Sequence, residues 1–327
     1  MIVVAGGATT RARPGAGGSA GPRPPPGERH VSLPGGHRLR RYARAVGEPE
    51  PEQRAEGAGP FTTRVTWHLP AGETVVWESR LARRRGALSV RAAGDAAGTP
   101  ATADAVTLAR LRRLNNVASG AFVIGGALFA LGAAVAQFGS GDPTVSASVY
   151  FAGGLFFNTG GYVSLLQVLN APRHTGAGRD LVTPRWRWWG YEPMRVDWLS
   201  TVALFAGTLV FAVNLLDSFH QGLTAQQADR RIWAPDVIGC VLFLVSGHLG
   251  FVEICHRSWP CWRSRSLGWW VVAVNQFGSV LFMVSAIAAF TRPATGSLVD
   301  AGISNWATLA GALSFSVGGV LQAFERP

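Results

Sequence analysis

Six apolar stretches fill the C-terminal two-thirds of the chain, running Asn116–Phe138, Ser146–Leu169, Trp198–Leu216, Ala234–Cys255, Trp269–Phe290 and Ser304–Ala323, and the central part of each lacks Arg, Asp and Glu. A hydrocarbon core of about 30 Å takes about 20 helical residues at about 1.5 Å each, so every stretch is long enough to cross. The expectation is an all-α membrane protein with six spans. A mean hydropathy of only +0.18 hides this, because it averages a polar segment with a strongly apolar one. Residues 1–114 carry 18 Arg against 9 Asp and Glu, and they supply most of the formal net charge of +11.

The polar segment divides further. Residues 1–60 form a basic arm rich in Gly, Pro and Ala, and from residue 5 it has too few aromatic or branched apolar side chains to offset the entropy of ordering, so disorder is expected. The opening Met1–Ala5 is too short for the apolar region of a secretory signal. Residues 61–114 read as a small cytosolic unit. Thr63, Val65, Trp67 and Leu69 alternate with polar residues, Pro70-Ala71-Gly72 punctuates, and Thr74-Val75-Val76-Trp77 follows, which predicts a β-hairpin. A lone hairpin is marginal in water and must dock on something. Arg83-Arg84-Arg85 beside it reads as a topological retention signal, with anionic lipid as the candidate partner; no nucleic-acid partner is expected. From Asp104, Leu108, Leu111 and Leu114 against Arg110, Arg112 and Arg113 predict a short amphipathic helix leading into the first span.

Charge sets the orientation. With a cytosolic N-terminus, twelve Arg flank the cytosolic ends of the spans and three, Arg230, Arg231 and Arg292, flank the other ends. The positive-inside rule then places both termini in the cytosol and the chain in a plasma membrane. Trp186, Trp188, Trp189, Trp233, Trp269, Trp270 and Trp306 mark span boundaries, as an aromatic belt does.

The spans also repeat. Aligned without gaps, the even spans place Gly153, Gly239 and Gly311 in one column, Phe157, Phe243 and Phe315 in another, and Gly161, Gly247 and Gly319 in a third. In the odd spans Ser119, Thr201 and Ser279 coincide, as do Phe122, Leu204 and Phe282, and Gly125, Gly207 and Ser285. The unit is a two-helix hairpin, repeated over residues 115–173, 197–257 and 275–327. Two spans per unit give parallel repeats, which excludes the inverted-repeat logic of many transporters. Small residues four apart, such as Ala203 with Gly207 and Ser246 with Gly250, serve close helix packing, and a homo-oligomer is a candidate partner beside the lipid bilayer.

The last hairpin, with Asn275-Gln276-Phe277-Gly278-Ser279-Val280-Leu281-Phe282 and then Leu309-Ala310-Gly311-Ala312-Leu313-Ser314-Phe315-Ser316-Val317-Gly318-Gly319, resembles the YrhK-like family of small bacterial two-helix membrane units. The first hairpin is similar, and the middle one departs at Ala203-Leu204. The resemblance implies a membrane hairpin and no particular activity. Mitochondrial-type carriers also have three two-helix repeats, but their Pro-x-acid-x-x-base signature is missing from Ala136-Gln137-Phe138, Asn214-Leu215-Leu216 and Ala289-Phe290-Thr291.

Few residues offer chemistry. His248 lies within the fourth span, where an ionisable group is a functional candidate, although its repeat partners are Tyr162 and Val320. Glu253 aligns with Gln167 and Glu325 at the ends of the even spans, which suggests either a ring around an ion path or an interfacial salt bridge from Glu253 to Arg257, four residues on. Asn158 completes the set of polar lining candidates. Cys240, Cys255 and Cys261 are expected to be reduced thiols, and Cys255-His256 with Cys261 falls short of a zinc ligand set. No phosphate loop, His-Glu-x-x-His or Gly-x-Ser-x-Gly motif is present, so no cofactor and no enzymatic activity are expected. The reading is a structural, regulatory or sensory membrane protein, against a transporter or channel for a small solute, ion or proton lined by His248, Glu253 and Asn158, or a membrane anchor binding anionic lipid or nucleic acid through its Arg-rich arm.

Overall fold

The computed structural model describes residues 52–69, 72–92, 98–139, 143–174, 181–220, 222–263 and 265–325. The expected disorder of residues 5–51 lies outside them. Within the remainder of that arm the structure corrects the reading, because Glu52–Glu56 is strand β1. The expected hairpin is present as β2 (Arg64–His68) and β3 (Thr74–Glu78), paired Val65 to Trp77 and Trp67 to Val75. It forms the middle of a five-stranded antiparallel meander completed by β4 (Ala87–Arg91) and β5 (Thr99–Thr102). Alternation places Val65, Trp67, Val75 and Trp77 on one face, where they pack with Leu88 and Val90. Thus the hairpin gains the third and further strands that a stable sheet needs.

Between β3 and β4 the chain makes one short helix, α1 (Ser79–Arg85). It ends at Gly86, whose φ of 58° only glycine adopts freely and whose N–H bonds back to the Ala82 carbonyl. A Cβ there would also lie 2.6 Å from Leu108, so the same glycine allows the sheet to sit against the next helix. That helix, α2 (Ala105–Phe138), is capped by Asp104, whose carboxylate accepts the Thr107 N–H. The separate amphipathic helix is therefore absent. It is the first third of one 34-residue helix, about 51 Å long by its rise.

Five further long helices follow: α3 (Pro143–Leu169), α4 (Val196–Asp217), α5 (Ala225–Cys255, with a π turn at Asp229–Trp233), α6 (Leu267–Ala288) and α7 (Ala301–Phe324). Among the described residues five helices, α2 and α4 to α7, are long and apolar enough to cross a membrane. α3 is 27 residues long, but four glycines, Asn158 and Thr159 in its middle lower its hydropathy. Each long helix packs against its neighbours in sequence, and α7 returns to α2, closing a ring of six alternating up and down.

Close approach within the ring depends on glycine facing phenylalanine. Gly125 of α2 faces Phe157 of α3, and Gly153 faces Phe129; Gly207 of α4 faces Phe243 of α5, and Gly239 faces Phe211; Gly278 of α6 faces Phe315 of α7, and Gly311 faces Phe282. Added Cβ atoms at these six positions would lie within 3.0 Å of the opposing ring. The six rings then meet across the bundle, not only between neighbours. Phe157 lies 5.6 Å from Phe315, Phe243 5.8 Å from Phe315, and both Phe129 and Phe211 lie 6.3 Å from Phe282. Lipid offers helices no hydrophobic reason to associate, so this dense dispersion contact holds the ring together.

Gly311→Val should cost about 1 to 3 kcal/mol in detergent unfolding, because the added methyl groups must displace Phe282. Gly120→Ala, which meets nothing within 4 Å, should cost nothing. Equal melting of the two variants would contradict this packing.

Candidate functional site

α1 lies against the end of the bundle where α3, α5 and α7 finish and α2, α4 and α6 begin. Its sequence explains how it fits. Ala82 points into the sheet core, whereas Ser79, Arg80, Arg83 and Arg84, spaced one and four apart, share the opposite side. That side meets carboxylates from two helices. The Ser79 hydroxyl donates to Glu253 Oε1 at 2.8 Å, and Arg83 grips the same carboxylate through Nε at 3.2 Å and Nη2 at 2.6 Å. Arg80 donates to both oxygens of Glu325, at 2.7 and 2.6 Å, and its Nη1 lies 3.6 Å from Glu253 Oε2. Arg84 donates to Asn115 of α2, whose amide in turn donates to the Gln322 carbonyl of α7.

These groups are enclosed: Glu253 is 1% exposed and Arg83 and Arg84 are 5% exposed. Ion pairs so deep survive only with good geometry and further hydrogen bonds, which the two forked contacts and Ser79 supply. Burial works to lower Arg83, but Glu253 outweighs it and the guanidinium is raised above its ordinary range. Arg84 has a neutral amide as its closest partner. Burial, reinforced by Arg83, pulls it down to about 9, which still leaves it charged at neutral pH.

A second charged group adjoins the first at the start of α4. Arg195 forks onto Asp197 at 3.0 and 2.5 Å, donates to Glu192 at 2.6 Å, and lies over the Trp77 ring of β3 at 5.5 Å. Arg173 and Arg187 also bind Glu192. Burial would raise Glu192, but Arg195 and Arg173 outweigh it and hold the carboxyl down to about 2. Backbone contacts join the same region, since Thr62 N–H donates to Met194 O at 2.9 Å. After α5, His256 takes a left-handed φ of 53° and its Nδ1 hydrogen-bonds the Thr63 hydroxyl at 3.0 Å. Burial, followed by Arg64, lowers His256 below its ordinary value.

The structure brings together Glu253 and Glu325, both bound by Arg80. Gln167 is fully buried in the last turn of α3, and its amide atoms have no hydrogen-bond partner among the described residues. Asn158 bonds within its own helix, to the Gly154 carbonyl. His248 is exposed on the outer face of α5 with Val241 and Val245, not in the interior. Three expectations are corrected. The partner of Glu253 is Arg83, not Arg257, because α1 reaches the carboxylate from the sheet side. Arg83 and Arg84, expected at a surface, are buried in this layer, while Arg85 is exposed. Cys255 and Cys261 form a disulfide, which also occupies both sulfurs of the weak zinc candidate. Arg80, Arg83, Arg84 and Asn115 as docking residues escaped the sequence reading. The available signal was an arginine face opposite Leu81 and Ala82, with carboxylates in register on the even spans.

No family profile matches this chain, nor does any curated protein or solved structure.

Glu253→Gln should destabilise the detergent-solubilised protein by about 3 to 5 kcal/mol, the cost of stranding a buried partner, whereas Arg257→Gln should stay within about 0.5 kcal/mol. A loss below about 1 kcal/mol for Glu253→Gln would mean that the pair is effectively solvated. pH adds a separate check. Because Glu192 falls from its ordinary 4.5 to about 2, its stabilisation is complete above about 4.5 and is lost as pH falls towards 2. Glu192→Gln should remove that step from the pH profile of unfolding, and an unchanged acid limb would contradict it.

Proposed function

We propose that the chain is an integral membrane protein of a bacterial plasma membrane, with six spans in three parallel two-helix units and both termini in the cytosol, and that its bundle is a closed platform for the docked sheet. Its role is then structural, regulatory or sensory, and no catalysis is assigned to it. The observation that carries this reading is the cluster of six phenylalanines, one from each helix, crossing the bundle axis beneath the arginine–carboxylate layer. Ions or polar solutes would meet tightly packed rings there. Of the three expected lining residues, Glu253 is held by Arg83, the Asn158 amide donates within its own helix, and His248 faces outward.

Support for three units comes from the same glycine–phenylalanine exchange in each hairpin, with glycine four residues before phenylalanine on every odd helix. Those contacts revise one alignment. Gly278 and Phe282 correspond to Gly125 and Phe129, so the third odd helix moves by seven residues from the column that held Ser285. The likeness to YrhK-like two-helix units fits such a plan. The orientation rests on twelve flanking Arg against three.

Reconstituted into liposomes, the protein should leave proton and potassium permeability at the level of empty vesicles at any imposed potential. Protein-dependent flux that is abolished by Glu253→Gln would overturn the reading in favour of a transport path.

A further inference from the structure

We infer that the Cys255–Cys261 pair is a thiol–disulfide exchange site whose state sets how tightly the sheet is held on the bundle. The inference rests on the docked arrangement proposed above, and it begins from where the disulfide lies. Cys255 is the last residue of α5, two residues after Glu253, and the bond closes a short loop back from Cys261. The residue immediately inside that loop is His256, the one non-glycine residue with positive φ among the described residues, and it reaches Thr63 between β1 and β2. The covalent bridge therefore fixes the chain reversal that aims His256 at the sheet. Other ties on the loop include the Cys261 N–H to Cys255 Sγ, the Trp269 indole to the Cys261 carbonyl at 2.6 Å, the Trp262 ring 4.7 Å from Trp269, and His256 Nε2 3.9 Å from Glu78 Oε1 of β3.

Access and compartment complete the argument. Cys261 is half-buried on a loop whose Trp259 and Trp262 are 78% and 75% exposed, which places the disulfide near the protein surface. The loop carries Arg257 and Arg263 and belongs to the Arg-rich end of the spans, which the charge distribution assigns to the cytosol. Disulfides there meet a reducing pool and persist as regulated bonds, not as permanent staples. In the exchange a thiolate of a cytosolic dithiol reductant attacks Cys261 Sγ, the S–S bond breaks and Cys255 leaves as a thiolate. The second thiol of the reductant then resolves the mixed disulfide. Two electrons pass to the protein, which ends with two cysteine thiols, and the reductant ends as its disulfide. Opening the loop lets His256 leave its left-handed conformation and release Thr63, while Glu253, on the helix itself, keeps Arg83.

The test uses the full chain in nanodiscs, equilibrated over a series of reduced and oxidised dithiothreitol ratios, with the two cysteines trapped by alkylation and amide hydrogen exchange followed over residues 52–68. Reduction should speed exchange in this segment about two- to tenfold, the range opened by losing one net hydrogen bond. Cys255→Ser with Cys261→Ser should match the reduced protein at every ratio, and His256→Ala should abolish the redox response. Glu253→Gln is the control for docking itself and should speed exchange in both redox states. If it does not, the docking reading has failed separately from the redox one. Identical exchange in verified oxidised and reduced protein would overturn the inference, as would a pair that stays wholly in one state across the series.

Discussion

The grip of Arg83 on Glu253 joins two parts of the molecule that are about 170 residues apart in sequence and follow different folding rules. The sheet is built by alternation and strand pairing in water. The bundle is built by small residues and aromatic rings where no hydrophobic drive separates one helix from another. Each leaves polar groups at the boundary, and neither could bury them alone. An arginine helix without its carboxylates would carry three enclosed cations, and helix ends carrying Glu253 and Glu325 would oppose their own dipoles. Brought together, they satisfy each other, and Arg80 ties the two acidic helices into one unit.

The same boundary explains how the bundle can be closed at its centre and still be polar at one end. Phenylalanines 129, 157, 211, 243, 282 and 315 occupy the axis, each accommodated by a glycine on the paired helix. Below them the charged layer is covered by α1 and the sheet. A conduit would need an interruption at both levels. The platform proposed above needs both intact, and His256 meets Thr63 at the join between sheet and bundle.

Much of this was legible in the sequence. Five of the six expected spans answer to length and hydropathy, and the β2–β3 hairpin to strict alternation. β1, Gln53-Arg54-Ala55 between two glutamates, has no apolar alternation, and β5 carries Pro100 on a sheet edge; both acquire strand character only by pairing. The even-helix register was readable from Gly and Phe columns. The third odd helix slipped by seven residues because two turns return a side chain to nearly the same face, so either alignment looks amphipathically correct. The site was half legible. Gln167, Glu253 and Glu325 stood in register, but the cation facing two of them sits on a segment whose arginines the charge rules treat as solvated. The disulfide was missed because a six-residue spacing carries no geometry, and the expectation was drawn from the compartment alone.

A double-mutant cycle on Arg83→Met and Glu253→Met, followed by chemical unfolding in detergent, tests the docking claim most directly. Each single variant leaves one buried charge without its forked partner, and the double variant removes both charges. The account predicts a coupling of at least about 1.5 kcal/mol, with the double variant more stable than either single one. Losses that add to within about 0.5 kcal/mol would show that Arg83 and Glu253 do not hold the sheet on the bundle.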